Sequence, residues 1–194
     1  MKKLLITGFE PFGGEETNPS WEAVSRLPET IGGFTLVKRR LPVVFGKAAD
    51  LLKQETADVI LCVGQAGGRS AVTPEFVGIN LRHATLPDNE GNQPKDQPIL
   101  AAGDCAYFST LPVRAMAEAI AAEGIPATVS YSAGTYVCND VLYSLLAHSQ
   151  GTDTRVGFIH VPYCTEQNKT PALAMEQIVK ALTVAVETIE KQGD

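Results

Sequence analysis

The sequence predicts an α/β fold: a single domain, residues 1–194, forming a three-layer α/β/α sandwich around a largely parallel, mixed sheet. Three observations predict it. Short apolar, β-branched runs alternate with stretches of helical period along almost the whole chain. The length of 194 residues suits one domain and is ample to bury a core. With 44% hydrophobic and 20% charged residues, the composition is that of ordinary globular proteins.

The elements follow in order. Lys3 to Thr7 is an apolar run closed by Gly8, a buried first strand. Gly8 to Gly14 is a loop bearing Phe9 and Phe12. Asn18-Pro19 opens a helix to about Leu27, with Asn18 as N-cap and Pro19 in the first helical position. Phe34 to Val44 reads as extended, Ala48 to Thr56 as a short helix and Asp58 to Val63 as another buried strand. Gly64-Gln65-Ala66-Gly67-Gly68-Arg69 is a glycine-rich loop. It lacks the Lys-Ser/Thr of a phosphate-cradling loop and the spacing of a dinucleotide fingerprint.

Pro74 to Leu81 alternates, with Val77, Ile79 and Leu81 on one face. Glu75 shares that face, and a carboxylate aimed at a core requires a partner. His83 to Tyr107 is a long polar segment, a length that usually marks function or mobility. Pro112 to Glu123 is an amphipathic helix closed by Gly124. Pro126 to Tyr131 reads as a strand, Arg155 to Val161 as another, and Thr170-Pro171 as the cap of a last helix to about Lys191.

Composition excludes several classes. The net charge is −6, and no basic block stands out beyond Lys38-Arg39-Arg40, so nucleic acid is not an expected partner. The apolar run at the start ends too soon for a signal peptide, and no stretch approaches the ~20 apolar residues of a membrane span. The four cysteines (Cys62, Cys105, Cys138, Cys164) form no C-x-x-C pair and read as free thiols. A cytoplasmic protein is expected.

Ser132 to Ala147 carries the chemistry. Ala133-Gly134 turns from the preceding run into a helix, where Val141, Leu142, Leu145 and Leu146 recur at helical spacing. Cys138 falls in the first turn. The positive end of a helix stabilises a thiolate. Against the reading as a nucleophile stands that of a small buried core cysteine. His148 fits a helix C-terminus, and His83 stays ambiguous. His160 ends an apolar strand, either as a satisfied core residue or as a catalyst. Ligands of open α/β sheets sit beyond the carboxyl ends of strands, where the loops holding Phe9, Gln65, Cys138 and the segment after His160 converge.

Together, three groups describe a thiol hydrolase. Cys138 attacks a carbonyl, His160 moves the proton, and Glu75 orients the imidazole. Backbone N–H groups at the helix start hold the oxyanion. No pair of His or Cys has the spacing of a metal site, so no metal is expected.

A resemblance sharpens this. Phe9-Glu10-Pro11-Phe12-Gly13-Gly14 with Asn18-Pro19, Leu41-Pro42-Val43, Gly64 to Arg69, Pro87-Asp88-Asn89-Glu90-Gly91, Ser132 to Asn139 and Phe158-Ile159-His160-Val161-Pro162 together resemble the pyrrolidone-carboxylate peptidases, the pyroglutamyl-peptidase I cysteine peptidases. The match spans nearly the whole chain in order. It implies removal of N-terminal pyroglutamate from peptides by Cys138, His160 and Glu75 without a cofactor. It also implies a cytoplasmic, often tetrameric α/β/α protein. Phe9 and Phe12 match positions that wall the substrate ring, and Asn18 and Gln65 match positions that help bind the lactam.

Two departures from the family pattern remove positive charge. Phe76 follows the triad glutamate where the family usually has Arg, and Thr85-Leu86 replaces the Arg-Ile of an Arg-Ile-Pro-Asp-Asn motif. Arg82 is the candidate to replace one of those charges. Two other readings compete with the peptidase: a thiol amidase of shifted substrate, and a non-catalytic binding module on a nucleoside-phosphorylase-like scaffold.

Overall fold

Strands buried on both faces form the middle layer of the computed structural model, which describes residues 1–192. In chain order the elements are β1 (Lys2–Phe9), α1 (Pro19–Arg26), β2 (Thr30–Ile31), β3 (Phe34–Leu41), α2 (Lys47–Lys53), β4 (Val59–Gln65), β5 (Thr73–Pro74), β6 (Val77–Ile79) and β7 (Ala106–Phe108). They continue with α3 (Val113–Ala122), α4 (Val137–His148), β8 (Arg155–Val161), β9 (Tyr163–Cys164), a 3-10 turn (Thr165–Gln167), β10 (Ala172–Leu173) and α5 (Met175–Lys191).

The main sheet runs β2-β3-β1-β4-β8-β5. Its central strands β3, β1, β4 and β8 are parallel, while β2 and β5 pair antiparallel at the two edges. This is the predicted mixed, largely parallel sheet. Alternation along each strand assigns the two faces. Leu4, Ile6, Leu61, Val63 and Ile159 pack with α1, α3 and α5. Leu5, Phe9, Ile60, Cys62 and Phe158 pack with α2 and α4. Parity therefore turns Gly64 and His160 toward α4, the helix that carries Cys138.

Local signals set the elements nearest the site. Asn18 caps α1, its side chain accepting from the Ser20 N–H at 3.1 Å, with Pro19 first in the helix. Gly8 lets α1 lie directly across the end of β1. A Cβ there would fall 2.5 Å from backbone atoms of Trp21.

Several sequence expectations are corrected. Pro126–Tyr131 is not a strand of its own; it joins the sheet margin through isolated bridges at Ala127 and Ser130. Pro74–Leu81 is interrupted, divided between β5 and β6: the Glu75 N–H still donates to the Phe158 carbonyl of β8, and Phe76 separates it from β6. Thr170-Pro171 is a cis peptide preceding β10, and α5 begins at Met175 instead. There the Gln177 side chain accepts from the Ala174 N–H at the start of α5. The 83–107 segment is tied down by buried Asp88, which accepts from the N–H groups of Phe45, Glu90 and Asn92. Among the described residues no helix is long and apolar enough to cross a membrane.

Candidate active site

The carboxyl ends of β1, β4 and β8 open on a cavity of about 200 Å3. Phe9, Phe12, Asn18, Gln65, Cys138 and His160 all line it, as do Arg69, Val43 and Tyr136. Glu75 stands behind His160. A larger hollow of about 630 Å3 lies at the opposite end of the sheet, where β1, β3, β4 and β8 begin. It shares no residue with the first.

Cys138 is the second residue of α4 and only partly buried, open to the cavity. No side chain caps the first turn of α4, so its backbone N–H groups remain available. The sulfur rests over Gly64: a Cβ on that residue would come within 2.8 Å of Cys138 Sγ. Gly64 is in turn the strand neighbour of His160. Two adjacent strands and one helix start thus converge on sulfur and imidazole.

His160 and Glu75 are joined at 2.7 Å between Nδ1 and Oε1. Glu75 is fully buried, and its Oε1 also accepts from Arg69 Nη1 at 2.6 Å. Arg69 further donates to the Thr73 hydroxyl and the Ser132 carbonyl. Burial alone would raise the Glu75 carboxyl. The hydrogen bond and charge of His160, aided by Ser130 and Arg69, outweigh it and hold the group below its usual range. Burial pushes the His160 imidazole below its ordinary 6.5, with Arg69 adding to that effect and Glu75 opposing it. At neutral pH Glu75 is therefore an anion and His160 neutral. An anion only accepts, so Nδ1 carries the hydrogen and Nε2 is the bare nitrogen of a residue that lines the cavity.

The thiol departs from expectation. Burial, seconded by Glu75 and Cys62, pushes Cys138 up to about 12, while Arg69 and the helix-start N–H pull weakly the other way. The helix end does not overcome desolvation. Cys138 and His160 line the same cavity, the thiol pushed up by its surroundings and the imidazole pushed down.

Phe9 is buried against Phe158 at 6.3 Å between ring centroids, and Phe12 stacks on Tyr136 at 6.0 Å. Tyr136 packs edge-on to Phe45 and donates to the Pro87 carbonyl. It is an aromatic wall that sequence reasoning passed over, although it sits two residues before Cys138. Gln65 Oε1 accepts from Gln167 Nε2 at 3.0 Å. Arg69 was visible only as the end of a glycine-rich loop. The demand of Glu75 for a partner was the signal that pointed to it.

Arg82 does not serve this cavity: it pairs with Asp140 at 2.6 Å and lies over the Phe45 ring. Phe76 lies outside it too, stacked with Phe108 and Tyr131 beneath the Arg114 guanidinium. Thr85 is exposed. Among the described residues no three His, Cys, Asp or Glu side chains are grouped to hold a metal ion.

Known proteins resemble the chain over nearly its whole length. The family described as pyroglutamyl peptidase matches residues 2–192. The pyrrolidone-carboxylate peptidase of Levilactobacillus brevis is 50% identical, over 96% of this chain and 97% of its own length. That of Thermococcus onnurineus is also 50% identical, over 96% and 98%. The crystal structure of Bacillus amyloliquefaciens pyroglutamyl peptidase I superposes with a TM-score of 0.95 at 46% identity, covering 100% of this chain and 99% of that one. Fold, cavity and sequence likeness coincide over the whole described chain, and the protein belongs to the pyroglutamyl peptidase family.

Proposed function

We propose that this chain is a cysteine exopeptidase that removes N-terminal pyroglutamate from peptides, through Cys138, His160 and Glu75, in one catalytic domain spanning residues 1–194. The observation that carries the proposal is a small aromatic cavity shared by a helix-start cysteine and a carboxylate-braced histidine. Pyroglutamate is a flat lactam with one N–H donor and one ring carbonyl. Phe9 and Phe12 supply its walls, and Asn18 and Gln65 its polar partners.

The chemistry follows from the protonation states. His160 Nε2 takes the Cys138 proton as Sγ bonds to the pyroglutamyl carbonyl carbon. Backbone N–H groups of the α4 first turn receive the oxyanion. Imidazolium, stabilised by Glu75, returns the proton to the leaving amine, the C–N bond breaks and a thioester remains. Water, its proton taken by His160, attacks the thioester. The S–C bond breaks, pyroglutamate leaves and sulfur regains its proton.

Dye release from a pyroglutamyl amide tests this. Cys138→Ala abolishes it, while Cys105→Ala, exposed and remote from the cavity, does not. Equal rates in both variants sink the assignment. A prolyl amide lacks the ring carbonyl and leaves buried polar groups unpaired, so it is rejected by ~10⁴-fold or more. Family kinship further supports a cytoplasmic homo-oligomer, a tetramer, which sedimentation of the purified chain tests.

A further inference from the structure

Asn18 is 2% exposed and lines the cavity, yet its amide is almost wholly occupied by the protein. The Phe9 N–H donates to Ser20 Oγ at 3.0 Å. Backbone N–H can only donate, so the Ser20 oxygen accepts there and its own hydrogen goes elsewhere. It goes to Asn18 Oδ1, at 2.7 Å, which also receives the Ser20 N–H at 3.1 Å. Asn18 Oδ1 is therefore the oxygen and Nδ2 the amino end, fixed by bonding rather than by choice. One Nδ2 hydrogen goes to the Glu10 carbonyl at 3.0 Å. The second has no acceptor among the described residues.

We infer that Ser20 is a positioning residue that determines ring specificity: it locks the Asn18 amide, taken above as a polar partner of the lactam, so that this second hydrogen is left to donate to the ring carbonyl. The inference rests on the peptidase reading above. Ser20 is fully buried and does not line the cavity, so it acts through Asn18. Its hydroxyl joins the backbone of Phe9, whose ring walls the cavity, to the amide that reads the carbonyl. The close approach permitted by Gly8 brings α1 near enough for this link. Stacking surface and donor are thereby held in one fixed relation, as preorganised recognition requires.

A double-mutant cycle on the full-length protein tests it. Ser20→Ala raises KM for a pyroglutamyl amide about three- to thirtyfold with kcat little changed, the effect of loosening one neutral hydrogen-bonded donor. Asn18→Ser, which keeps a good helix cap, removes the Nδ2 amino group and leaves only a shorter hydroxyl. If Ser20 works through Asn18, adding Ser20→Ala to Asn18→Ser lowers kcat/KM by less than twofold more. Alkylation of Cys138 by iodoacetamide stays at the wild-type rate in Ser20→Ala. Multiplying losses, or an unchanged KM in Ser20→Ala, overturn the inference while the peptidase stands. A wild-type chain that releases nothing overturns the peptidase reading and the inference with it. Should Asn18→Ser not fold, Asn18→Asp, which retains the capping acceptor, takes its place.

Discussion

Two buried arginine–carboxylate pairs flank the helix that carries Cys138, and they are built differently. Asp140 and Glu75 are each fully buried, and each meets an arginine at 2.6 Å. Asp140 divides its load: Oδ1 takes Arg82, and Oδ2 takes the Gly46 N–H at 2.7 Å. It braces α4 to the start of α2 and to the segment after β6. Glu75 is lopsided. Oε1 takes both Arg69 and His160, whereas Oε2 has no hydrogen-bond partner. The Ser130 hydroxyl donates to the Ser132 carbonyl. A brace satisfies every buried oxygen. Glu75 instead gathers both its His160 and Arg69 contacts on one oxygen.

The contrast can be broken by removing charge from each pair in turn. Glu75→Gln lowers kcat/KM by ~10²–10⁴-fold, because the neutral amide neither fixes the Nδ1–H tautomer nor stabilises imidazolium. Asp140→Asn leaves kcat/KM within about threefold and instead lowers unfolding free energy by about 1–3 kcal/mol in a urea titration. Comparable losses of activity in both variants would erase the distinction.

The pH profile sharpens it. His160 acts as a base only when neutral, and its value lies below 6.5. The acid limb of kcat/KM therefore falls below that of an ordinary histidine. Arg69→Met removes a charge that lowers His160 and moves the limb upward. Folding stability has the same sign. The unfolded chain binds a proton near pH 6.5 that native His160 refuses, and native Glu75 resists protonation below 4.5. Stability is thus full above 6.5 and declines as pH falls through those values, measurable by thermal melts at stepped pH. The smallest effect belongs to Phe76→Arg, which restores the family charge outside the cavity and changes kcat/KM by less than about twofold.

How much the sequence revealed depends on how local each signal was. Asn18 before Pro19 fixed the start of α1, and the apolar run ending at Pro162 fixed β8 at Arg155–Val161. Cys138 in a first helical turn and the need of Glu75 for a partner were equally readable. Segment 126–131 misled because its extended shape depends on bridges to Val72 and Glu75, more than fifty residues earlier in the chain. Thr170-Pro171 offered the usual marks of a helix start, but a short pairing of β10 with β9 intervenes. Arg82 looked free to replace a missing charge because nothing local tied it to Asp140. At Cys138 the helix start, which favours a thiolate, is local, whereas the desolvation that opposes it is imposed by the assembled cavity.

Residue 64 shows how little room that assembly leaves. Its bare α-carbon is the seat on which the sulfur rests, with the Phe158 ring pressing from the same side at 2.8 Å from where a methyl would be. Alanine there would leave every reactive atom in the sequence intact and still evict the Cys138 sulfur or its aromatic neighbour. In the mechanism proposed above, one missing methyl group counts for as much as the thiol that lies over it.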